Sequence, residues 1–308
     1  MTKEKQLIVI AGSTAVGKTS MAIDLARHFG TEIISADSRQ FFQEMSIGTA
    51  KPTEDELGQA VHHFVNNLSI KDEYDAGKFA EEAEKLLLHL FKNHDKVILV
   101  GGSGMYIKAL CDGFDEMPEV PQELRNELNE IWANGNQEIL LKELEQKDPE
   151  FYVFVDLRNK QRVTRALEVI RATGKTYSSF RKGKTKVQKA YSTIKIGLER
   201  ERSELYQLIN LRMDDMIDQG LFEEAENLYP YKELNALQTV GYREIFDYLD
   251  GKYDKEEAIR LLKRNSRRYA KRQMTWFKKD EEFKWFSPED KELIIAYIEA
   301  MSHETELK

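Results

Sequence analysis

The sequence predicts an α/β fold in which a parallel sheet is flanked by helices and interrupted by a helical insertion. Short β-rich runs alternate with helical patterns, as in helix-covered parallel sheets. The first run leads into the glycine-rich stretch GSTAVGKT, Gly12 to Thr19. Between about 117 and 189 the β signal thins out and helical periodicity alone remains.

The run QLIVIAG (6–12) reads as a buried strand, and SMAIDLARHF after the glycine-rich stretch reads as a helix. Between them the spacing G-x-x-x-x-G-K-T marks a phosphate loop, so the sheet is expected to be P-loop NTPase-like. Backbone N–H groups of Gly12, Ser13, Thr14, Ala15, Val16 and Gly17 can close around an anion where the helix dipole favours negative charge. Lys18 would reach the terminal phosphates, and Thr19 offers a hydroxyl to a phosphate-bound Mg²⁺. The motif identifies an anion and leaves the reaction open.

The next strand, EIISAD (32–37), ends on Asp37, at the sheet edge where Lys18 and Thr19 lie. That carboxylate has three readings: an outer-sphere partner of Mg²⁺ through water, a general base for an attacking amine or hydroxyl, or a cap on a following helix. His62 and His63 are adjacent, so their side chains diverge and no metal site is assigned to them. The strand KVILVGG (96–102) opens a second glycine cluster, GGSGMY. This is expected to be a further place where backbone approaches a ligand, with Ser103 as a possible helix cap.

Two domains are expected: a core from 1–116 and 190–308, and a helical insertion over 117–189. Pro118 and Pro121 mark the start of the insertion and the basic RKGKTKVQKA its end. In QRVTRALEVIRATG the residues Val163, Ala166, Leu167 and Ile170 form an apolar face, while Gln161, Arg162 and Arg165 cluster on the first turns. The cluster fits a lid over phosphates, an RNA contact or a solvated face.

The strand STIKIGLE (192–199) completes the β pattern, and helices follow to about 280. In LYQLINLRMDDMIDQG, Arg212 falls in the apolar stripe, four residues from Leu208 and three from Ile209. An Arg there calls for an anionic partner, either a ligand phosphate or a carboxylate of the protein, or for a route to water. The run KRNSRRYAKRQMTWFKK (263–279) is basic, free of acids and interleaved with aromatics. Its cations are expected to face out and Trp276 to pack inward.

The formal net charge of −8 excludes general affinity for nucleic acid, so polyanion binding must be local. Cys111 is the only cysteine; it points to a reducing compartment and is expected to be buried. No apolar run is long enough to span a membrane, and the N-terminus lacks an export signal, so a cytoplasmic location is expected.

As a set, GSTAVGKT, SADSRQFFQEMSIGTAKP, HHFV, GGSGMYIKAL, RVTRALEVIRATGK, IGLERERSELYQLINLRMDDMIDQGLFEEA, QTVGYREIFDYL and RRYAKRQMTWF resemble the tRNA dimethylallyltransferases over nearly the whole chain. The resemblance implies transfer of the dimethylallyl group from dimethylallyl diphosphate to the exocyclic amine of the adenosine immediately 3′ of the anticodon. Mg²⁺ would be required and pyrophosphate released. It implies that Asp37 is the general base, that Thr19 contributes to diphosphate and metal binding, and that Arg212 clamps the diphosphate. Ser103, where the family more often has Thr, would line the reaction channel, and Ser13 replaces a usual Pro. Asp37, Ser38, Arg39 and Gln40, the segment Gln161, Arg162, Val163, Thr164 and Arg165, and Arg125 match segments that touch tRNA. The insertion would grip the anticodon stem-loop, and Arg264, Arg268, Lys271 and Arg272 would add backbone contacts. The chain stops soon after TWF without a zinc-finger extension, which fits a bacterial-type enzyme; a monomer is expected. Rival readings are a small-molecule kinase, an adenylate isopentenyltransferase and a non-catalytic RNA switch.

Overall fold

Every residue of the strand β1 (Gln6–Gly12) is buried, so this strand lies at the centre of a sheet covered on both faces. The computed structural model describes residues 4–113, 115, 117–181 and 189–306. After β1 come α1 (Lys18–Phe29), β2 (Ile33–Ser35), α2 (Glu54–Gln59), β3 (His62–His63), α3 (Ala76–Leu90), β4 (Lys96–Gly101) and α4 (Gly104–Asp112). A helical series follows: α5 (Gln122–Ala133), α6 (Gln137–Lys147), α7 (Pro149–Phe154) and α8 (Lys160–Thr173). The chain then forms β5 (Ser192–Leu198), α9 (Arg202–Asp218), α10 (Leu221–Leu228), α11 (Arg243–Leu249), α12 (Lys255–Phe277), β6 (Lys284–Phe286) and α13 (Lys291–Glu306).

Six parallel strands pair in the order β3-β2-β4-β1-β5-β6. Alternate residues of each strand face opposite sides. Ile8 and Ile10 pack with α1, α9 and α13, and Leu7 and Val9 pack with α3 and α4. A third core joins Phe42, Met45 and Met213 to α10, α11 and the start of α12. Because all strands run the same way, their carboxyl ends share one edge. The phosphate loop, the turn after β2 and the loop after β4 therefore gather there.

The chain divides into two compact units: Met1–Cys111 with Gln188–Lys308, and Asp112–Val187. The second unit has its own core of Leu128, Leu140, Leu144, Phe151, Val163 and Leu167. The basic segment expected at its end falls mostly on 182–188, outside the described residues.

Several expectations are corrected. The strand expected over 32–37 spans only Ile33–Ser35, so Asp37 lies on the turn beyond it and caps no helix. The chain also adds an edge strand, β6, that its three residues are too short to announce. Cys111 is half-buried against the α3 and α4 side. Trp276 is not core: it is 41% exposed, whereas Phe277 is 2% exposed. The buried stripe of α12 runs Ala258, Leu262, Ser266, Ala270, Gln273, Phe277. Trp276 precedes the last of these by one residue, a rotation of about 100° that turns it outward. Phe277→Ala should therefore lower the unfolding free energy by about 3–5 kcal/mol, and Trp276→Ala by about 1 kcal/mol or less. Chemical denaturation of the two variants checks this.

Candidate active site

The phosphate loop is held open by backbone conformation and by side chains from distant elements. Gly17, the residue before α1, has φ 107°, a left-handed value that disfavours any residue with a Cβ, and Ala15 has φ 64°. Arg200 donates from Nε to the Val16 carbonyl at 3.2 Å. Lys18 donates from Nζ to the Ser13 carbonyl at 2.6 Å. Burial, then the neighbouring Arg212, pulls the Lys18 ammonium down to about 8 against the opposing pull of Asp37.

One cavity brings together Thr14, Ala15, Lys18, Thr19, Asp37, Arg39, Gln40 and Arg212. Arg212 enters it from α9. Its stripe neighbours Ile209 and Met213 are buried, but Arg212 itself is exposed along the cavity wall rather than enclosed among them. Among the described residues it has no ion-pair partner within 4.0 Å. Asp214 pairs instead with Lys263 at 2.5 Å. Burial by the surrounding walls nonetheless pulls the Arg212 guanidinium below its ordinary value, with Glu56 and Asp215 opposing. Two cations, Lys18 and Arg212, thus face a shared space with no carboxylate bound to either. This arrangement favours an incoming anion.

Asp37 accepts from the Arg39 N–H at 3.0 Å, which fixes its carboxylate within the turn. Burial raises its pKa, opposed by that hydrogen bond and by Lys18 and Arg39. A carboxylate with raised basicity beside an anion site can take a proton from a nucleophile. The adjoining Ser38 N–H donates to Ser103 Oγ at 2.9 Å. Ser103 therefore ties the loop after β4 to the Asp37 turn. Gln40 has its amide engaged inside the protein: Nε2 donates to the carbonyls of Thr49 (3.3 Å) and Ala50 (3.0 Å), and Oε1 accepts from Ser35 Oγ (3.2 Å).

The second glycine cluster makes close approaches, but to the protein's own atoms. A Cβ on Gly101 would overlap the Ala36 carbonyl, one on Gly102 the Gln273 amide, and one on Gly104 the Trp276 indole. Gln273, 7% exposed, accepts from the Thr14 N–H at 2.8 Å and donates to the Gly102 carbonyl at 2.9 Å. Sequence reasoning missed this residue, although it lies within RRYAKRQMTWF. The signal was an uncharged side chain on the buried stripe of an otherwise basic helix.

A second cavity shares Thr239, Val240 and Tyr269 with the first and is lined by Arg243, Arg264, Arg268 and Arg272. Lys271 is exposed and lies outside that lining. The Arg272 guanidinium lies 5.7 Å from the Tyr269 ring centre. A basic hollow with an aromatic wall thus adjoins the anion site.

In the second unit Gln161 and Arg162 are exposed, but Val163 and Thr164 are buried and cannot present side chains to RNA. Both fall on the face of α8 that packs into the unit's core, and the Thr164 hydroxyl bonds back to the Lys160 carbonyl at 2.9 Å. Arg125 and Arg165 both pair with the buried Glu168, at 3.5 and 3.1 Å. Among the described residues His62 and His63 converge on no metal. His63 contacts Glu32 at 2.6 Å, and His62 Nδ1 contacts the Ala60 carbonyl at 2.8 Å.

A profile of the family described as IPP transferase matches residues 40–280. A tRNA dimethylallyltransferase of Cytophaga hutchinsonii is 51% identical over 300 residues, 97% of this chain and 98% of its own length. One from Christiangramia forsetii is 52% identical over 295 residues, 96% and 97% of the two chains. The full-length tRNA isopentenylpyrophosphate transferase of Bacillus halodurans is similar in structure, with TM-score 0.72 and 35% identity over 98% of each chain. A eukaryotic dimethylallyltransferase acting on tRNA gives TM-score 0.75 and 28% identity over 88% of this chain and 69% of its own. Matched by the family profile over most of its length, and by relatives that share half of its residues from end to end, the chain belongs to the IPP transferase family.

Proposed function

We propose that this protein transfers the dimethylallyl group from dimethylallyl diphosphate to the exocyclic amine of the adenosine immediately 3′ of the anticodon in tRNA. The observation that carries the reading is the joint lining of one cavity by the phosphate loop, the unpaired Arg212 and the Asp37 carboxylate. The names of the relatives, tRNA dimethylallyltransferase and tRNA isopentenylpyrophosphate transferase, support the donor and the acceptor. A tRNA acceptor agrees with a cytoplasmic location. Among the described residues no helix is long and apolar enough to cross a membrane.

In this reading the amine nitrogen bonds to the first prenyl carbon as the carbon–oxygen bond to the diphosphate breaks. The bonding pair leaves with pyrophosphate, and the nitrogen gives its proton to Asp37. Backbone N–H groups from Ala15 to Thr19, with Lys18 and Arg212, hold the negative charge that grows on the leaving group, which selectively stabilises the transition state. A bound Mg²⁺ would add to that neutralisation. The Thr19 hydroxyl would hold it, with Asp37 reaching it through water. Among the described residues no group of three or more His, Cys, Asp or Glu is placed to hold a metal ion, so diphosphate oxygens and water would supply the other ligands, as suits this ion.

The adenosine must leave its stack to react, at a cost of a few kcal/mol that protein contacts offset. The hollow lined by Arg243, Arg264, Arg268 and Arg272 beside Tyr269 suits a phosphate backbone and an exposed base. Lys271 would add to the basic surface. In the second unit Arg162 and Gln161 are available for the stem-loop, and Glu168 would hold Arg125 and Arg165 in place for it.

Incubation with Mg²⁺, labelled dimethylallyl diphosphate and unmodified tRNA, with AMP and ATP as parallel acceptors, tests the reading. Label in isopentenyladenosine from tRNA alone is expected; label on AMP, or none, overturns it. Asp37→Asn should lower turnover by about two orders of magnitude while tRNA binding persists, as single-turnover kinetics beside a binding titration would register. A diphosphate stabilises charged Lys18, so inorganic pyrophosphate should bind more weakly as pH rises above about 8, the value to which burial lowers this lysine. Calorimetric titration across that range, repeated on Lys18→Met, should show the dependence only in the parent. Arg264→Ala combined with Arg268→Ala should reduce the slope of log K for tRNA against log salt by about one to two.

A further inference from the structure

We propose that Glu224 and Gln40 are positioning residues that brace the segment 46–50 and, through it, the turn that carries Asp37. The proposal rests on the reading of Asp37 as the base. Glu224, on α10, gives its whole carboxylate to that segment. Oε2 accepts from the N–H groups of Ser46 (2.9 Å) and Ile47 (2.8 Å), and Oε1 accepts from Gly48 N–H (2.9 Å) and the Tyr242 hydroxyl (2.7 Å). Three consecutive amides on one carboxylate fix a stretch of backbone as a helix cap does.

The fit is steric as well. A Cβ on Gly48 would fall 2.6 Å from the Tyr242 ring, which is fully buried. Burial beside Glu224 raises the Tyr242 phenol, so it stays a neutral donor. Lys51 closes the far end of the segment, donating to the Phe42 carbonyl and to Asn66 Oδ1, each at 2.5 Å.

The braced segment has two uses. Gly48, Thr49 and Ala50 line the cavity that holds Asp37 and Arg212. The carbonyls of Thr49 and Ala50 also receive the Gln40 amide, three residues after Asp37 in the same turn. With both amide N–H bonds spent on those carbonyls and its oxygen accepting from Ser35, Gln40 cannot donate to RNA without releasing the brace. Its amide is therefore assigned to holding the Asp37 turn. The pairing was not visible in the sequence, since Glu224 is 178 residues from Ser46.

Glu224→Gln and Gln40→Met test the brace, with Asp37→Asn as the control for the base. Each is measured by turnover, by tRNA affinity without turnover, by amide hydrogen exchange over 46–50 and by the acid limb of kcat/KM. Both bracing variants should lose about tenfold in turnover while tRNA affinity stays within about twofold, as expected of a misplaced reacting group. The amides of 46–48 should exchange faster in Glu224→Gln. Asp37 faces Lys18 from α1, Arg39 from its own turn, Tyr106 from α4 and Tyr269 from α12. A loosened turn admits water to it, so the acid limb should move to lower pH.

Faster exchange with unchanged turnover would overturn the positioning role. A tenfold loss of tRNA affinity in Gln40→Met with turnover intact would make Gln40 an RNA contact and overturn its part. Tyr242→Phe removes one hydrogen bond from the same carboxylate and serves if Glu224→Gln folds poorly. It should shift exchange and turnover in the same direction, and no change in either would overturn the brace. Full activity in Asp37→Asn would instead defeat the base reading, while exchange over 46–50 would still report on the brace.

Discussion

A single buried amide sets the distance between the two loops that frame the site. Gln273 accepts from the phosphate loop at Thr14 and donates to the loop after β4 at Gly102. Buried polar groups left without partners cost about 1–3 kcal/mol each, so neither loop can move independently of α12. The glycines of the second loop follow from this constraint. At Gly102 a Cβ would displace Gln273, and at Gly104 it would displace Trp276. Within this glycine cluster Gly101 lines the cavity, whereas Gly102 and Gly104 form the docking surface of a helix.

The same helix carries the basic hollow on another face. Gln273 and Phe277 point inward, while Arg264, Arg268 and Arg272 line the second cavity. A structural amide and an arginine-lined hollow thus share one rigid element, so the hollow and the phosphate loop are held by the same helix. The two cavities share Tyr269, which stands between the Asp37 side and the arginines. With a net charge of −8, any attraction for a polyanion must come from local groups such as the arginines of the second hollow.

The charges around Asp37 are balanced so that both proton transfer and anion binding remain available. Burial raises the carboxylate, Lys18 and Arg39 lower it, and burial with Arg212 lowers Lys18. A diphosphate between Lys18 and Arg212 would relieve the repulsion of those two cations. Binding of an anion there would thereby be linked to the proton affinity of Asp37.

The sequence by itself determined the phosphate loop, the long strands β1, β4 and β5, the place of β2 and the helical insertion, because each depends on periodicity and turn chemistry within a few residues. It also named Lys18, Thr19, Asp37 and Arg212, whose residue types are demanding enough to stand out in a local pattern. Only the tertiary structure decided which of two adjacent aromatics, Trp276 or Phe277, is buried, since one step along a helix is about 100° and the docking angle of α12 is not local. It likewise decided that Val163 and Thr164 face a core, that Gln273 joins two loops 171 residues or more away in the chain, and that Glu224 anchors a segment 178 residues distant. Hydrogen bonds between such distant residues leave no mark in local spacing: a buried Gln or Glu reads as an ordinary polar residue until the fold brings its partners to it.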